Sequence, residues 1–194
     1  DLSGLSPQQQ AILAYFLLMF FLRGMPFIDL AHLRKRDMQD GRITYSRHKT
    51  DKPITVRIPR EALVLIAKYA DRHSASPYLF PILDARIRDS WQSYRNYQDA
   101  LRHFNRKLGQ VMSRLLPGVR VSSYTARHTW ATLAFHSGQP VGIISQALGQ
   151  SSLRVTETYL KPFGNELVDK ANRQLIASVR KCKWKNETEY RAGL

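Results

Sequence analysis

Three short segments in the C-terminal half carry side chains whose chemistry suits work on an anion: Tyr124-Thr125-Ala126-Arg127-His128-Thr129-Trp130, Leu148-Gly149-Gln150-Ser151-Ser152 and Thr156-Glu157-Thr158-Tyr159. Two more stand upstream, Phe21-Leu22-Arg23-Gly24-Met25 and Tyr45-Ser46-Arg47-His48-Lys49-Thr50. Guanidinium groups such as those of Arg23 and Arg127 are planar, permanently charged forks that match the oxygens of a phosphate. An ammonium such as that of Lys49 can give up a proton to a leaving group. A phenol such as that of Tyr159, with a reference pKa of about 10, is a weak nucleophile at neutral pH, yet as an aryl ester it leaves readily again. Each residue alone also has an ordinary reading. Arg23 could cap an apolar helix, Lys49 could be a solvated hairpin residue, Arg127 and His128 a polar surface strip, and Tyr159 one more tyrosine of an amphipathic helix. The weight lies in the ordered set.

The bulk charge points the same way. Thirty Lys and Arg against fifteen Asp and Glu give a formal charge of +15 and a pI near 10.3, which suits a polyanion. Nucleic acid is the leading partner and an anionic membrane surface the rival. The longest apolar run, Ala11 to Leu22, is twelve residues, short of the roughly 18 needed to span a bilayer, and reads as a buried helix. His32, His48, His73, His103 and His136 have no metal-ligand spacing, so neither a metal nor a cofactor is expected. The lone cysteine, Cys182, cannot form an internal disulfide, and a reducing, cytoplasmic setting fits.

Taken together, the segments resemble the tyrosine recombinase (phage integrase) family, in a form similar to integrases of Bacteroides-type mobile elements. In that pattern a His-x-x-Arg segment, a Leu-Gly-His-Ser-Ser segment and a nucleophilic tyrosine follow one another. Here Gln150 lies twenty-three residues after Arg127, and Tyr159 nine further on. The resemblance implies metal-free DNA cleavage and rejoining through a 3′-phosphotyrosine. Tyr159 would be the nucleophile, Arg23 and Arg127 would hold the non-bridging oxygens, and Lys49 would be the general acid. It also implies double-stranded DNA recombination sites as partner, a homotetramer on DNA with a monomer possible in isolation, no membrane, and a place at the bacterial nucleoid.

This sequence departs from the pattern at three points. Tyr124 and Gln150 occupy the two histidine positions, and Asp29 lies six residues after Arg23, where an acidic residue is expected about three after it. Tyr124 and Gln150 can still donate hydrogen bonds to a phosphate, whereas the base for Tyr159 has no obvious owner; His128 is a substitute. These departures keep two other functions open: a catalytically impaired DNA-binding protein on the same scaffold, and a type IB topoisomerase-like relaxing enzyme.

The elements that must position these residues are legible as periodicity. Pro7 opens a helix to about Arg23, which Gly24 and Pro26 break. Residues 42–49 and 54–58 alternate as two strands around a polar turn, a β-hairpin that presents Lys49. Helices are expected over 60–72, over 90–116 with Tyr97, Leu101, Phe104, Leu108, Val111 and Leu115 on one face, from Ser122-Ser123 to about Ser137, and from Val141 to Leu148. A last amphipathic helix carries Leu167, Ala171, Leu175 and Val179. The long basic helix offers Arg102, Arg106 and Lys107, and the hairpin Arg47, as DNA contacts, while Trp91, Trp130 and Trp184 are read as packing residues. The expected fold is mainly α with a small antiparallel β-sheet, the catalytic-domain architecture of DNA breaking-rejoining enzymes. One such domain would fill residues 1–194, with residues 165–194 docking on a neighbouring protomer. The N-terminal DNA-binding domains usual in the family would belong to a longer protein.

Overall fold

The first helix, α1 (Pro7–Phe21), begins where Ser6 and Gln9 cap it reciprocally. The Gln9 amide donates to Ser6 Oγ at 3.3 Å and the Ser6 amide to Gln9 Oε1 at 2.9 Å, while Pro7 fills the first position. The computed structural model describes residues 4–150, 152–158, 160, 165–166 and 169–177. Ile12, Tyr15, Leu18 and Met19 line the buried face of α1. The helix stops two residues before the expected end at Arg23, because Arg23 and Gly24 both take left-handed backbone, with φ of 61° and 67°. The Met25 amide then reaches back over both residues to the Met19 carbonyl at 2.9 Å and closes the helix end.

A short helix, α2 (Phe27–His32), and a 3₁₀ turn at Lys35–Asp37 lead into the sheet. Strands β1 (Met38–Gln39), β2 (Arg42–Ser46) and β3 (Pro53–Arg57) are antiparallel in the order β1-β2-β3. Ile43 pairs with Val56 and Tyr45 with Ile54, which turns one face of the hairpin into the core. Strand β2 ends at Ser46 rather than at Lys49. The Thr50 and Asp51 amides both donate to the Arg47 carbonyl, at 3.2 and 2.8 Å, and fold residues 47–51 into a tight turn with Lys49 at its tip.

Helix α3 (Arg60–Tyr69) is followed by an irregular stretch and by α4 (Ser90–Leu115), capped by Asp89, which accepts from the Gln92 amide at 2.8 Å. The predicted stripe of α4 is the face it buries: Phe104, Leu108 and Val111 are enclosed, with Tyr97, Leu101 and Leu115 at the margin. Phe104 stacks on Phe27 at 4.4 Å between ring centres and ties α4 to α2. Helices α5 (Ser123–His136), α6 (Val141–Ala147) and α7 (Leu153–Glu157) follow. Ala131, Ile144 and Leu148 form a second, smaller core between α5 and α6, against which Trp130, Phe135 and Leu160 pack.

The described architecture is thus mainly helical with a small antiparallel sheet, as expected, and β1 adds a third strand to the hairpin that the periodicity implied. Trp91 corrects the expectation that it packs inside. It is 63% exposed in the first turn of α4, ahead of the apolar stripe, and stacks on Tyr94, which is itself exposed. Trp184 lies outside the described residues. The chain divides into two units, Asp1–Leu160 and Lys161–Leu194. In the second, residues 169–177 are helical with Leu175 and Ile176 exposed; Leu167 and Val179 lie outside the described residues. Among the described residues no helix is long and apolar enough to cross a membrane.

Candidate active site

Four pieces of backbone meet around one buried guanidinium. Arg127, one turn into α5, is 3% exposed. It donates to the Gly24 carbonyl at 2.9 Å and to the Leu148 carbonyl at 2.7 Å, so it joins the turn after α1 to the segment after α6. The close approach of that turn requires Gly24, since a β-carbon there would sit 3.1 Å from Arg127 Cα. The Leu148 carbonyl also accepts from Arg47 of the hairpin turn, at 2.5 Å. The same turn reaches the next two residues: Thr50 Oγ1 donates to the Gly149 carbonyl at 3.5 Å and Lys52 Nζ to the Gln150 carbonyl at 3.2 Å. Gly149 has φ of 61°, and a β-carbon there would lie 2.4 Å from Ile54 Cδ1. The hairpin therefore packs on bare backbone.

Beneath this layer sits Asp29 of α2, 2% exposed. Its Oδ2 lies 3.1 Å from Arg47 Nε, close enough for an ion pair although not aligned as a hydrogen bond. Its Oδ1 accepts from the His48 amide at 3.0 Å and lies 3.6 Å from His48 Nδ1. Burial raises the Asp29 carboxyl above its ordinary pKa, and the His48 amide together with the charges of Arg47, His48 and Arg127 pulls against that rise. His32 packs its ring 4.2 Å from that of His48, and burial holds its pKa below the ordinary value. Burial and the Asp29 carboxylate push up the pKa of the enclosed Tyr45 phenol, while Arg47, Arg127 and Arg23 pull against that rise.

The other residues singled out by the sequence are distributed as follows. Arg23 is half-buried, with Nη1 3.5 Å from the Thr55 carbonyl. Lys49 is exposed at the hairpin tip. Tyr124 is 61% exposed on α5, its ring 6.5 Å from that of His128. Gln150 is half-buried, its amide donating to the Ser145 carbonyl at 3.0 Å. Tyr159 lies outside the described residues. On α4, Arg102 and Arg106 are exposed and Lys107 is half-buried; Arg102 pairs with Asp99, and Arg106 Nη2 lies 3.5 Å from His103 Nδ1.

Arg47 departs from the expectation that it reaches DNA. It is 6% exposed and is engaged by Asp29 and Leu148 inside the protein. Its place was signalled by period-two alternation, because Ile43 and Tyr45 of β2 and Arg47, one residue beyond the strand's end, all turn inward. A general rule that arginine is exposed hid that signal. Asp29 is the second residue whose position the sequence reading missed; its signal was an acid inside the apolar stretch Phe27-Ile28-Asp29-Leu30-Ala31. Among the described residues no three His, Cys, Asp or Glu side chains are grouped to hold a metal ion.

Such a site gathers fixed positive charge at one spot, with an exposed lysine on its rim. That arrangement is suited to a tetrahedral oxyanion. Residues 5–166 match the phage integrase family. The chain belongs to that family. Tyrosine recombinase XerA of Pyrococcus furiosus is similar to it, 28% identical over 161 residues that make up 80% of this chain and 53% of that protein. This phage integrase chain spans about half the length of the curated relatives it matches. Its fold is similar to that of a XerA recombinase crystal structure, with a TM-score of 0.59 at 19% identity over 88% of this chain and 64% of the other. It is similar as well to the XerH site-specific recombinase bound to difH substrate in a pre-cleavage complex, with a TM-score of 0.60 at 16% identity over 87% and 48% of the two chains.

Proposed function

We propose that this chain is the catalytic part of a site-specific DNA recombinase that breaks and rejoins strands through a covalent 3′-phosphotyrosine. In the forward step Tyr159 Oη bonds to phosphorus, the bond from phosphorus to the 5′-oxygen breaks, and Lys49 protonates that oxygen as it leaves. Arg23 and Arg127 bear the charge that builds on the non-bridging oxygens. Tyr124 and Gln150 add hydrogen bonds to the phosphate. His128, exposed on α5 beside Arg127, is the proposed acceptor of the phenolic proton. The phosphotyrosine ester keeps the energy of the broken bond, so the 5′-hydroxyl of another strand can reverse the step and reseal the DNA without ATP.

The observation that carries this reading is the convergence of the Gly24 turn, Arg127, the Leu148–Gln150 segment and the Lys49 turn, in a chain of the phage integrase family. The partner is double-stranded DNA at two recombination sites, bound by four copies, with residues 165–194 of one copy docking on the next. Arg102, Arg106 and Lys107 supply phosphate contacts along α4, and the working place is the bacterial cytoplasm, at the nucleoid. An integrase of a mobile element is the setting that fits best.

Supercoiled plasmids with and without paired junctions of the DNA element that encodes the protein test this reading. Recombinant products that depend on the junctions support it. Relaxation of plasmid lacking any junction points to a topoisomerase-like enzyme instead. Binding without strand exchange or adduct points to a DNA-binding protein, a reading favoured by the enclosure of Arg127, whose fork is turned onto two backbone carbonyls.

A further inference from the structure

Lys49 stands at the tip of a two-stranded hairpin, exposed, on a side chain with four rotatable bonds. A general acid must be held within hydrogen-bond reach of the oxygen it protonates. Whatever steadies Lys49 has to act on the backbone that bears it, and Arg47 is built to do so from both of its ends. The Arg47 carbonyl accepts from the Thr50 and Asp51 amides and its own amide donates to the Lys52 carbonyl at 2.9 Å, so its main chain closes the turn around Lys49. Its side chain runs the other way, into the protein. There it meets the Asp29 carboxylate and donates to the Leu148 carbonyl, the acceptor that also holds Arg127. Its methylenes lie against Gly149, where a β-carbon would stand 3.2 Å from Arg47 Cδ.

We propose that Arg47 is a positioning residue for strand cleavage, which anchors the Lys49 turn to Asp29 and Leu148 and so sets the general acid against the same backbone that sets Arg127. The inference rests on the reading of Lys49 as general acid. A lysine at position 47 cannot do this, because a point charge lacks the fork that spans a carboxylate on one side and a carbonyl on the other. Arg47 therefore acts inside the protein rather than on a DNA phosphate, and its loss leaves DNA affinity in place.

The test is single-turnover cleavage of suicide junction DNA carrying either a normal scissile phosphate or a 5′-bridging phosphorothiolate. With the sulfur substrate the bond from phosphorus to sulfur breaks, and a thiol of reference pKa about 8.5 departs as thiolate without needing a proton. Lys49→Ala, Arg47→Lys, Arg47→Met and the double variant Asp29→Asn with Arg47→Met are compared with the parent protein. The double variant leaves no unpaired buried carboxylate, so it reports even where Arg47→Met alone folds poorly. On the oxygen substrate the Arg47 variants are expected to lose roughly 100-fold or more, the scale of general acid catalysis. On the sulfur substrate they recover as Lys49→Ala does, with junction binding and its salt dependence unchanged.

Equal loss on both substrates, with Lys49→Ala alone rescued, overturns the inference. A weaker complex whose salt slope falls by about one unit also overturns it, because that marks a phosphate contact. Failure of the sulfur substrate to rescue Lys49→Ala overturns instead the reading of Lys49 as general acid.

Discussion

Removing either partner of the buried Asp29–Arg47 pair should destabilise the protein strongly, and removing both should cost less than the two losses added together. Asp29→Ala strands the Arg47 guanidinium at a site where it is 6% exposed, and takes the acceptor from the His48 amide. Breaking a buried pair from one side costs about 3 to 5 kcal/mol, which in a domain of this size lowers Tm by roughly 6 to 20 °C. Arg47→Ala strands the carboxylate instead, but that group has an escape, since burial already raises its pKa and it can take up a proton. The sign follows from that direction. A raised folded-state pKa gives stability that is complete below the ordinary carboxylate pKa and is lost as pH rises through the raised value, so the damage from Arg47→Ala grows from acid towards neutral pH. Urea unfolding of the two single variants and the double variant at pH 7 gives the coupling, expected at about 1 to 3 kcal/mol for groups in contact. Additivity within about 0.5 kcal/mol would refute the pairing. The same would follow from an Arg47→Ala penalty that shrinks as pH rises.

Three further outcomes are expected. Gly149→Ala forces a left-handed backbone on an L-residue, at about 1 to 2 kcal/mol, and drives a methyl to 2.4 Å from Ile54 Cδ1; thermal unfolding should show a loss above that backbone figure, with cleavage impaired through displacement of the hairpin. His32 has a lowered pKa because it is buried, so the protein should lose stability as pH falls below about 6.5, where the unfolded chain takes up a proton that the folded chain resists. Tm measured from pH 7.5 to 5 should show this fall, and His32→Phe should flatten it. Arg127→Lys should lower the cleavage rate by about 10² to 10³, the scale of one lost oxyanion donor, with little change in junction binding in a gel-shift assay.

What the sequence made legible follows the length of the periodic signal. Helix α4 runs through seven turns, so its stripe of Tyr97, Leu101, Phe104, Leu108 and Val111 fixed both its extent and its buried face. The hairpin was readable from alternation on both strands, and the Arg127 and Leu148–Gln150 segments from their types and separation. Helices α2 and α7, of six and five residues, and the two-residue strand β1 are too short to show a period at all. The site failed to be legible where a rule about residue type overrode geometry. Asp29 and Arg47 pair as ions inside, and only the fold brings residues eighteen positions apart close enough for burial to be tolerable. Trp91 errs in the opposite direction: its type suggested the core, while its place in the first turn of α4 leaves it exposed.

The proposed reaction requires Tyr159 to form a covalent bond to DNA. Its most direct measurement is the capture of an SDS-resistant adduct on nicked or phosphorothiolate suicide DNA drawn from the element's own junctions, with the parent protein and Tyr159→Phe run side by side. An adduct formed by the parent protein and absent from Tyr159→Phe is the result predicted. An adduct that persists in Tyr159→Phe, or none from a parent protein that still binds the junction, would contradict it.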